Sequence, residues 1–274
     1  MSDGTGRVAG KVAVITGAAR GQGRAHAVRL AQEGADIIAI DICSTLPSVT
    51  YDSATPEDLA ETARLVEKHG RRIVTAQVDI RDRAKLQAAV DTGVAELGRL
   101  DIIIANAAIS PIAPWDEITS EVFDDTMSIN VAGTWNTVMA GAKYLVEAGG
   151  GSIILVSSAA GIKVQPYMVS YTTSKFAVRG MAKAFAVELA KDHIRVNSLH
   201  PTGVATPMGT GDVHARIERA VAGNPRPAQM FTNMLPVDYT QPEDVAETVL
   251  FLASDESKYI TAHEIAPDAG ITEF

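Results

Sequence analysis

Short apolar runs and amphipathic stretches alternate along the whole chain, and that alternation predicts a sheet covered by helices on both faces. Lys11-Val-Ala-Val-Ile-Thr16 is apolar and rich in β-branched residues, the composition of a short buried strand. Arg24 to Glu33 follows with Ala27, Val28, Leu30 and Ala31 in a helix-like pattern, and Gly34 stops it before a second strand, Asp36-Ile-Ile-Ala-Ile-Asp41. Further strands are expected at 72–78, 100–105, 152–157 and 194–199, with a short last one near 264–267. Helices are expected near 56–69, 82–97, 119–148, 172–191 and 242–253. Such alternation marks an α/β protein with a single doubly wound parallel sheet. No linker, internal repeat or shift of composition divides the chain, so residues 1–274 are expected to form one domain.

Right-handed crossovers bring the carboxyl ends of the strands to one edge, the edge at which such sheets bind ligands. The glycine turn after the first strand lies there, with Asp41, Asp79, Asn106, Ser158 and the stretch after His200. The turn reads Gly17-Ala-Ala-Arg20-Gly21-Gln22-Gly23. Strand, glycine turn, helix and a second strand ending in an acid make the dinucleotide-binding βαβ unit. Glycines let backbone approach a pyrophosphate, and the helix N-terminus offers it unpaired N–H groups. Asp41, about twenty residues on, can accept hydrogen bonds from the adenine-ribose hydroxyls. The spacing is G-x-x-x-G-x-G, so the assignment rests on the flanking strands and the terminal acid as much as on the glycines. Asp41 favours NAD over NADP, because a carboxylate repels a 2′-phosphate. Arg20 pulls the other way, since a guanidinium could pair with that phosphate. It is read as a solvent-facing loop residue, and NAD is the expected cofactor.

A proton-transfer site is expected at the same edge. Tyr171 and Lys175 stand four apart, on one face of a helix and within mutual reach. Free tyrosine has a pKa of about 10 and is a poor base at neutral pH. A nearby ammonium favours the phenolate and is expected to lower that pKa, and a nicotinamide cation would lower it further. Ser158 would supply a hydroxyl that hydrogen-bonds a substrate oxygen. Tyr167 is a rival that lacks a lysine four residues on, and is expected to line the substrate cleft or pack. His200, beside Pro201, is read as a histidine satisfied by backbone.

Two connections exceed the usual length of about two to six residues. Residues 42–55 should border the adenosine half of the cofactor. Residues 205–240 carry Met208, Met230, Phe231, Met234 and Leu235 among glycines and prolines, and are expected to form a mobile lid with its apolar side to the substrate. A surface excursion packing its own apolar residues is the plainer alternative.

Composition narrows the partners. The net charge of −9 disfavours non-specific nucleic-acid binding. No apolar run is long enough to span a bilayer, and residues 1–7 lack a signal-peptide core, so a cytoplasmic protein is expected. The single cysteine, Cys43, excludes an internal disulfide and a cysteine-cluster metal site; it is read as a packed thiol near the adenosine. The six histidines show no metal-ligand spacing, and no metal is expected. Trp115 and Trp135 are read as core or interface.

With these residues in place, the chain resembles the short-chain dehydrogenase/reductase family, a Rossmann-fold family, across nearly its whole length. Thr16 to Gly23 matches the family's cofactor glycine motif, and Asp79 matches the acid that contacts adenine. Asn106-Ala107-Ala108 stands where the family has Asn-Ala-Gly. Asn130, Ser158, Tyr171 and Lys175 match the catalytic tetrad. His200-Pro201-Thr-Gly203-Val204-Ala-Thr206 resembles the segment bordering nicotinamide. The resemblance also implies cofactor contacts at Ile42, Ile80 and Gln22, and a homo-oligomer, a dimer or tetramer. It implies that Tyr171 takes the hydroxyl proton and Ser158 orients the alcohol. Lys175 would bind the nicotinamide ribose hydroxyls, and Asn130 would hold a water that passes the proton to solvent. Ala108 and Ala262-His263 depart from the pattern without removing a chemical group. The long 42–55 loop and the Gly17–Arg24 sequence look like an actinobacterial, carveol-dehydrogenase-like subgroup linked to mycofactocin. That likeness implies an NAD held under the loop and reoxidised by a separate redox carrier. The expected reaction is hydride transfer between NAD(H) and a hydrophobic secondary alcohol or ketone, terpene- or steroid-like. A 3-oxoacyl thioester reductase is an alternative that Asp41 and the acidic charge disfavour. A non-catalytic NAD(H)-binding sensor is disfavoured because all four tetrad residues are present.

Overall fold

The apolar runs pair side by side in a computed structural model that describes residues 6–210 and 212–274. The N-terminal residues 1–5, part of the segment read for a leader, and Gly211 in the long 205–240 stretch lie outside the described residues. The strands are β1 (Val12–Thr16), β2 (Asp36–Asp41), β3 (Ile73–Gln77), β4 (Ile102–Ala105), β5 (Gly151–Val156), β6 (Ile194–Leu199) and β7 (Glu264–Ile265). All pair in parallel in one 7-stranded sheet, order β3-β2-β1-β4-β5-β6-β7. The order reverses between β1 and β4, which opens a crevice at their carboxyl ends.

Helices α1 (Gly21–Gln32), α2 (Pro56–Glu67), α3 (Arg83–Leu97), α4 (Ser120–Met127), α5 (Thr134–Glu147), α6 (Val169–Leu189), α7 (Val213–Gly223) and α8 (Pro242–Ala253) make the connections. Alternate strand residues point to opposite faces, and so build two cores. Ala13, Ile15, Ile37 and Ile104 pack under α1, α2 and α8 through Leu30, Leu59 and Leu250. Val12, Val14, Ile38 and Ile103 pack under α3, α5 and α6 through Leu86, Leu145 and Val178. The helix starts are set by local chemistry. Thr55 and Asp58 form a reciprocal capping box before Pro56, and the Asp82 carboxylate accepts from the Lys85 N–H. Among the described residues no helix is long and apolar enough to cross a membrane.

Two expectations need correction. The helix expected over 119–148 is interrupted: residues 128–133 form a π-helical segment that separates α4 from α5. Nearby threonine hydroxyls compete for helical carbonyls, Thr126 for Val122 at 2.7 Å and Thr134 for Asn130 at 2.7 Å. A Cβ on Gly133 would sit 2.4 Å from Ile80, so the segment also lies hard against the loop after β3. The stretch over 205–240 is not all loop, since α7 and a 3₁₀ turn over 226–231 form within it. Val213, Ile217 and Ala220 carry helical spacing that the surrounding glycines and prolines obscured. Neither tryptophan is a core residue: Trp115 is 80% exposed, and Trp135 is part-exposed with the Arg83 guanidinium 4.8 Å over its ring.

His26 on α1 is fully buried, and neither ring nitrogen has a partner among the described residues. Burial drives its pKa down to about 3, below its ordinary value in the unfolded chain. Between those values the unfolded state takes up a proton that the folded state refuses, so stability falls as pH drops below about 6.5. Each pH unit in that window costs about 1.4 kcal/mol. From pH 7 to pH 5 the contribution is about 2 kcal/mol. Unfolding free energies from urea titrations at the two pH values should therefore differ by about that much less in His26→Leu than in the parent. Equal losses in both proteins would exclude His26 as the acid-sensitive group.

Candidate active site

The crevice begins at the glycine turn. Gly17 (φ 67°) and Gly21 (φ 54°) adopt backbone open to glycine at little cost. α1 starts without a side-chain cap and without an acid in its first turn, so its N–H groups remain available to an anion. A Cβ on Gly21 would lie 3.1 Å from the Thr206 methyl, which narrows the cradle to bare backbone. Asn106 ties the turn to the end of β4, donating to the Thr16 carbonyl at 2.9 Å and to Gly17 at 3.2 Å. Asp41 braces the other side: its carboxylate accepts from the Ala19 and Cys43 N–H groups, both at 3.0 Å. Both oxygens keep a lone pair for a ribose hydroxyl. An uncapped helix start, glycine backbone and a braced acid suit a dinucleotide.

Most of the residues expected at the cofactor face this crevice. Gly17, Arg20, Gly21, Gln22 and Gly23 line it from the turn, with Asp41 and Ile42 after β2. Asp79, Ile80, Asn106 and Ala107 line the next sector, and Tyr171, Lys175 and Thr206 the far one. Gly203, Val204 and Ser158 line an adjoining cavity instead. Pro201 lines neither; its carbonyl accepts from the Ala159 N–H at 2.8 Å. Asp79 is less free than expected, because Arg81 grips its carboxylate at 2.7 Å and bridges to Asp125.

Arg20 departs from its expected role as a solvent-facing residue. Its guanidinium donates to the Asp52 carbonyl, tying the glycine turn to the 42–55 loop. Next to it in that loop, the Tyr51 hydroxyl accepts from the Ser110 N–H at 3.3 Å and the ring lines the crevice. Beyond the cavity, Arg216 at 2.7 Å holds the Asp212 carboxylate below the usual carboxylate range. Leu46 and Val49 pack on the core. Tyr51 and Asp52, two consecutive residues, thus anchor the loop to the segment after β4 and to the glycine turn. Tyr51 went unread in the sequence, where its only signal was an aromatic residue in a polar loop. Burial, then the Asp41 charge, push the Cys43 thiol up to about 12, which makes it a packed group rather than a reactive one.

Tyr171 lines both crevice and cavity. It sits on the first turn of α6, where Ile112, Met168 and Val213 pack together and hold its ring. Lys175 lies one turn on, its Nζ 5.5 Å from the Tyr171 ring centre and donating to the Val156 carbonyl at 2.8 Å. The lowered tyrosine pKa expected from sequence is not what the protein alone provides. Burial pushes the Tyr171 phenol up, outweighing the Ser158 hydroxyl, and pushes the Lys175 ammonium down to about 7. Desolvation penalises charge on both groups at once.

Ser158 follows β5 in extended backbone, and its hydroxyl accepts from the Ala160 N–H at 3.1 Å. His200 is satisfied, bonding the Ser158 carbonyl and the Ser198 hydroxyl, both at 2.8 Å. Asn130 differs from expectation. Its Oδ1 accepts from the Ile109 N–H at 2.8 Å, and its Nδ2 donates to the Ile109 carbonyl at 2.9 Å and to Ser174 Oγ at 3.0 Å. The amide clamps the loop after β4 to α6, which commits its side chain to protein partners. Tyr167 lies in left-handed backbone (φ 62°), its hydroxyl donating to the Asn224 carbonyl, which makes it packing rather than a second base.

Comparison with known proteins gives the same outline. The family model for short chain dehydrogenase matches residues 11–216. A short chain dehydrogenase from Mycobacterium paratuberculosis, solved bound to NAD, is 59% identical with a TM-score of 0.97, covering 98% of this chain and 100% of that one. Carveol dehydrogenase from Mycobacterium avium, solved in complex with NAD, is 48% identical with a TM-score of 0.92, over 98% and 100% of the two chains. The (-)-trans-carveol dehydrogenase of Rhodococcus erythropolis is 41% identical over 97% of this chain and 99% of its own length.

Proposed function

The chain belongs to the short-chain dehydrogenase family, and from that premise we propose that it is an NAD-dependent oxidoreductase moving hydride between a hydrophobic secondary alcohol and its ketone. The observation that carries the proposal is the position of Tyr171, whose side chain borders the cofactor crevice on one side and the large apolar cavity on the other. When bound, NAD supplies the hydride-accepting carbon and the positive charge of its oxidised ring.

Tyr171 takes the hydroxyl proton of the alcohol on its phenolate oxygen. Ser158 holds the same substrate oxygen with its hydroxyl. Positive charge placed beside Tyr171 opposes the preference that burial sets there, because a cation favours the phenolate. Lys175 supports this from the crevice wall and can turn from the Val156 carbonyl to ribose hydroxyls. Asn130 acts as a positioning residue through its clamp on Ile109 and Ser174. Arg20 is committed to the 42–55 loop and Asp41 lines the crevice where its carboxylate would accept from ribose hydroxyls, an arrangement that supports NAD over NADP. The segment over 205–240 acts as the lid of the cavity, with Met208, Val213, Ile217 and Phe231 on its inner side.

The anchors at Tyr51 and Asp52 support a cofactor kept under its loop and reoxidised in place by a separate redox carrier. Mass spectrometry of small molecules released by denaturing freshly purified protein tests this, followed by assays of secondary alcohols with and without an artificial electron acceptor. Near-stoichiometric NAD(H) and turnover that needs the acceptor are expected. Protein that arrives empty and uses added NAD would remain a dehydrogenase but lose the retained cofactor. Protein that binds NAD and oxidises no secondary alcohol would sink the oxidoreductase reading.

A further inference from the structure

One residue of the 42–55 loop starts a run of hydrogen bonds that ends on the helix of Tyr171. The Tyr51 ring lines the cofactor crevice, and its hydroxyl accepts from the Ser110 N–H at 3.3 Å. One residue back, Ile109 donates its N–H to Asn130 Oδ1 at 2.8 Å. Its carbonyl accepts from Asn130 Nδ2 at 2.9 Å. That amide nitrogen also donates to Ser174 Oγ at 3.0 Å, and Ser174 Oγ donates to the Tyr171 carbonyl at 2.7 Å. The run thus joins the loop over the crevice to the first turn of α6.

The run is shielded from solvent. Asn130 and Ser174 are fully buried, and Ile109 and Ser110 are buried as well. Hydrogen bonds in such surroundings are stronger than at the surface. If Asn130 moved without Ile109 or Ser174, a buried donor would be left unpaired, at a cost of about 1–3 kcal/mol. Separate movement of the links is therefore disfavoured. Burial pushes the Tyr51 phenol up, outweighing the Ser110 N–H, so the group is neutral and acts through its bond. Because its ring forms crevice wall, what fills the crevice bears on where it rests.

We infer that Tyr51 is a positioning residue that carries closure of the 42–55 loop over the cofactor to Tyr171. The inference rests on the oxidoreductase reading and adds a condition to it. The catalytic hydroxyl is set for chemistry when the loop is closed. Neighbours in a hydrogen-bond run are coupled only if changes at its two ends fail to add.

Tyr51→Phe removes the hydroxyl and keeps the ring, and Ser174→Ala removes the link at the far end. The parent, both variants and the double variant are saturated with NAD. Single-turnover reduction of the bound NAD by carveol or cyclohexanol is then followed by NADH absorbance. Each single substitution should slow that step about 2–10-fold, the worth of one hydrogen bond. The double variant should be no slower than the slower single one. Hydrogen exchange supplies a readout independent of turnover. In NAD-saturated Tyr51→Phe, the amides of Thr172 to Lys175 should exchange about 2–10-fold faster than in the parent. A parental rate in Tyr51→Phe overturns the inference, as do losses that multiply in the double variant. Unchanged exchange on α6 overturns it too, even if Ser110 exchanges faster, since Ser110 reports only the contact removed. Faster exchange on α6 in a protein that reduces no bound NAD with either alcohol would keep the link and discard the oxidoreductase reading. Turnover with multiplying losses and unchanged exchange would do the reverse.

Discussion

Tyr171→Phe should lower kcat by ~10²–10⁴-fold, the usual contribution of a positioned acid–base group, while the protein still folds and still carries NAD. The substitution removes one oxygen and leaves the ring, so its packing with Ile112, Met168 and Val213 is preserved. The phenol is buried and its ordinary acidity is further weakened by that burial, opposed by the Ser158 hydroxyl. A group in that setting is of little use for holding the fold together through charge, but it borders both compartments of the site. Loss should therefore appear in kcat, with released NAD per chain and melting temperature close to those of the parent. A variant that keeps more than about a tenth of the parent's kcat would fall outside that range and remove Tyr171 from the chemistry. Loss of bound NAD together with activity would instead assign Tyr171 a binding role.

Gly23→Ala should abolish cofactor binding and cost stability, although it adds a single methyl group. A Cβ there would lie 2.0 Å from the Gly17 carbonyl oxygen, 2.7 Å from its carbon and 2.9 Å from Asn106 Nδ2. The obstacle is backbone, so no rotamer change relieves it. Gly17 is held in left-handed geometry, and Asn106 bonds the same carbonyl at 3.2 Å, so relief must open the turn itself. Overpacking of a close-packed site commonly costs about 1–3 kcal/mol, and an opened turn no longer presents its N–H groups together. Gly223→Ala is the matched control, since nothing lies within 4 Å of its added Cβ. Its stability should stay within about 0.5 kcal/mol of the parent, with NAD content unchanged. Normal NAD content in Gly23→Ala, read after denaturation, would contradict the close approach.

The strands were legible because each is a short apolar run bounded by polar residues, and β2 and β6 fall where their patterns place them. The glycine turn was legible for a related reason: a chain that must turn tightly and meet an anion has few residues to choose from. α8 was legible at both ends, with Pro242 at its start and an apolar period to Ala253. The break between α4 and α5 was not. The sequence over 119–148 keeps helical spacing, and the π-helical segment at 128–133 lies against Ile80, a residue from another part of the chain. α7 was hidden by its glycine and proline neighbours.

Site chemistry divided along the same line. Residue type and order determine that Tyr171 and Lys175 share a helix face, that Ser158 ends a strand on the same edge, and that Asp41 closes a dinucleotide-binding unit, because these follow from spacing within one element. Only the tertiary structure decides what each group then experiences. It buries Lys175 and half-buries Tyr171, and desolvation pushes both groups toward their neutral forms. It spends the Asn130 amide on a clamp and turns Arg20 toward Asp52. Burial and hydrogen-bond partners come from residues far apart in the chain, and no local pattern encodes them.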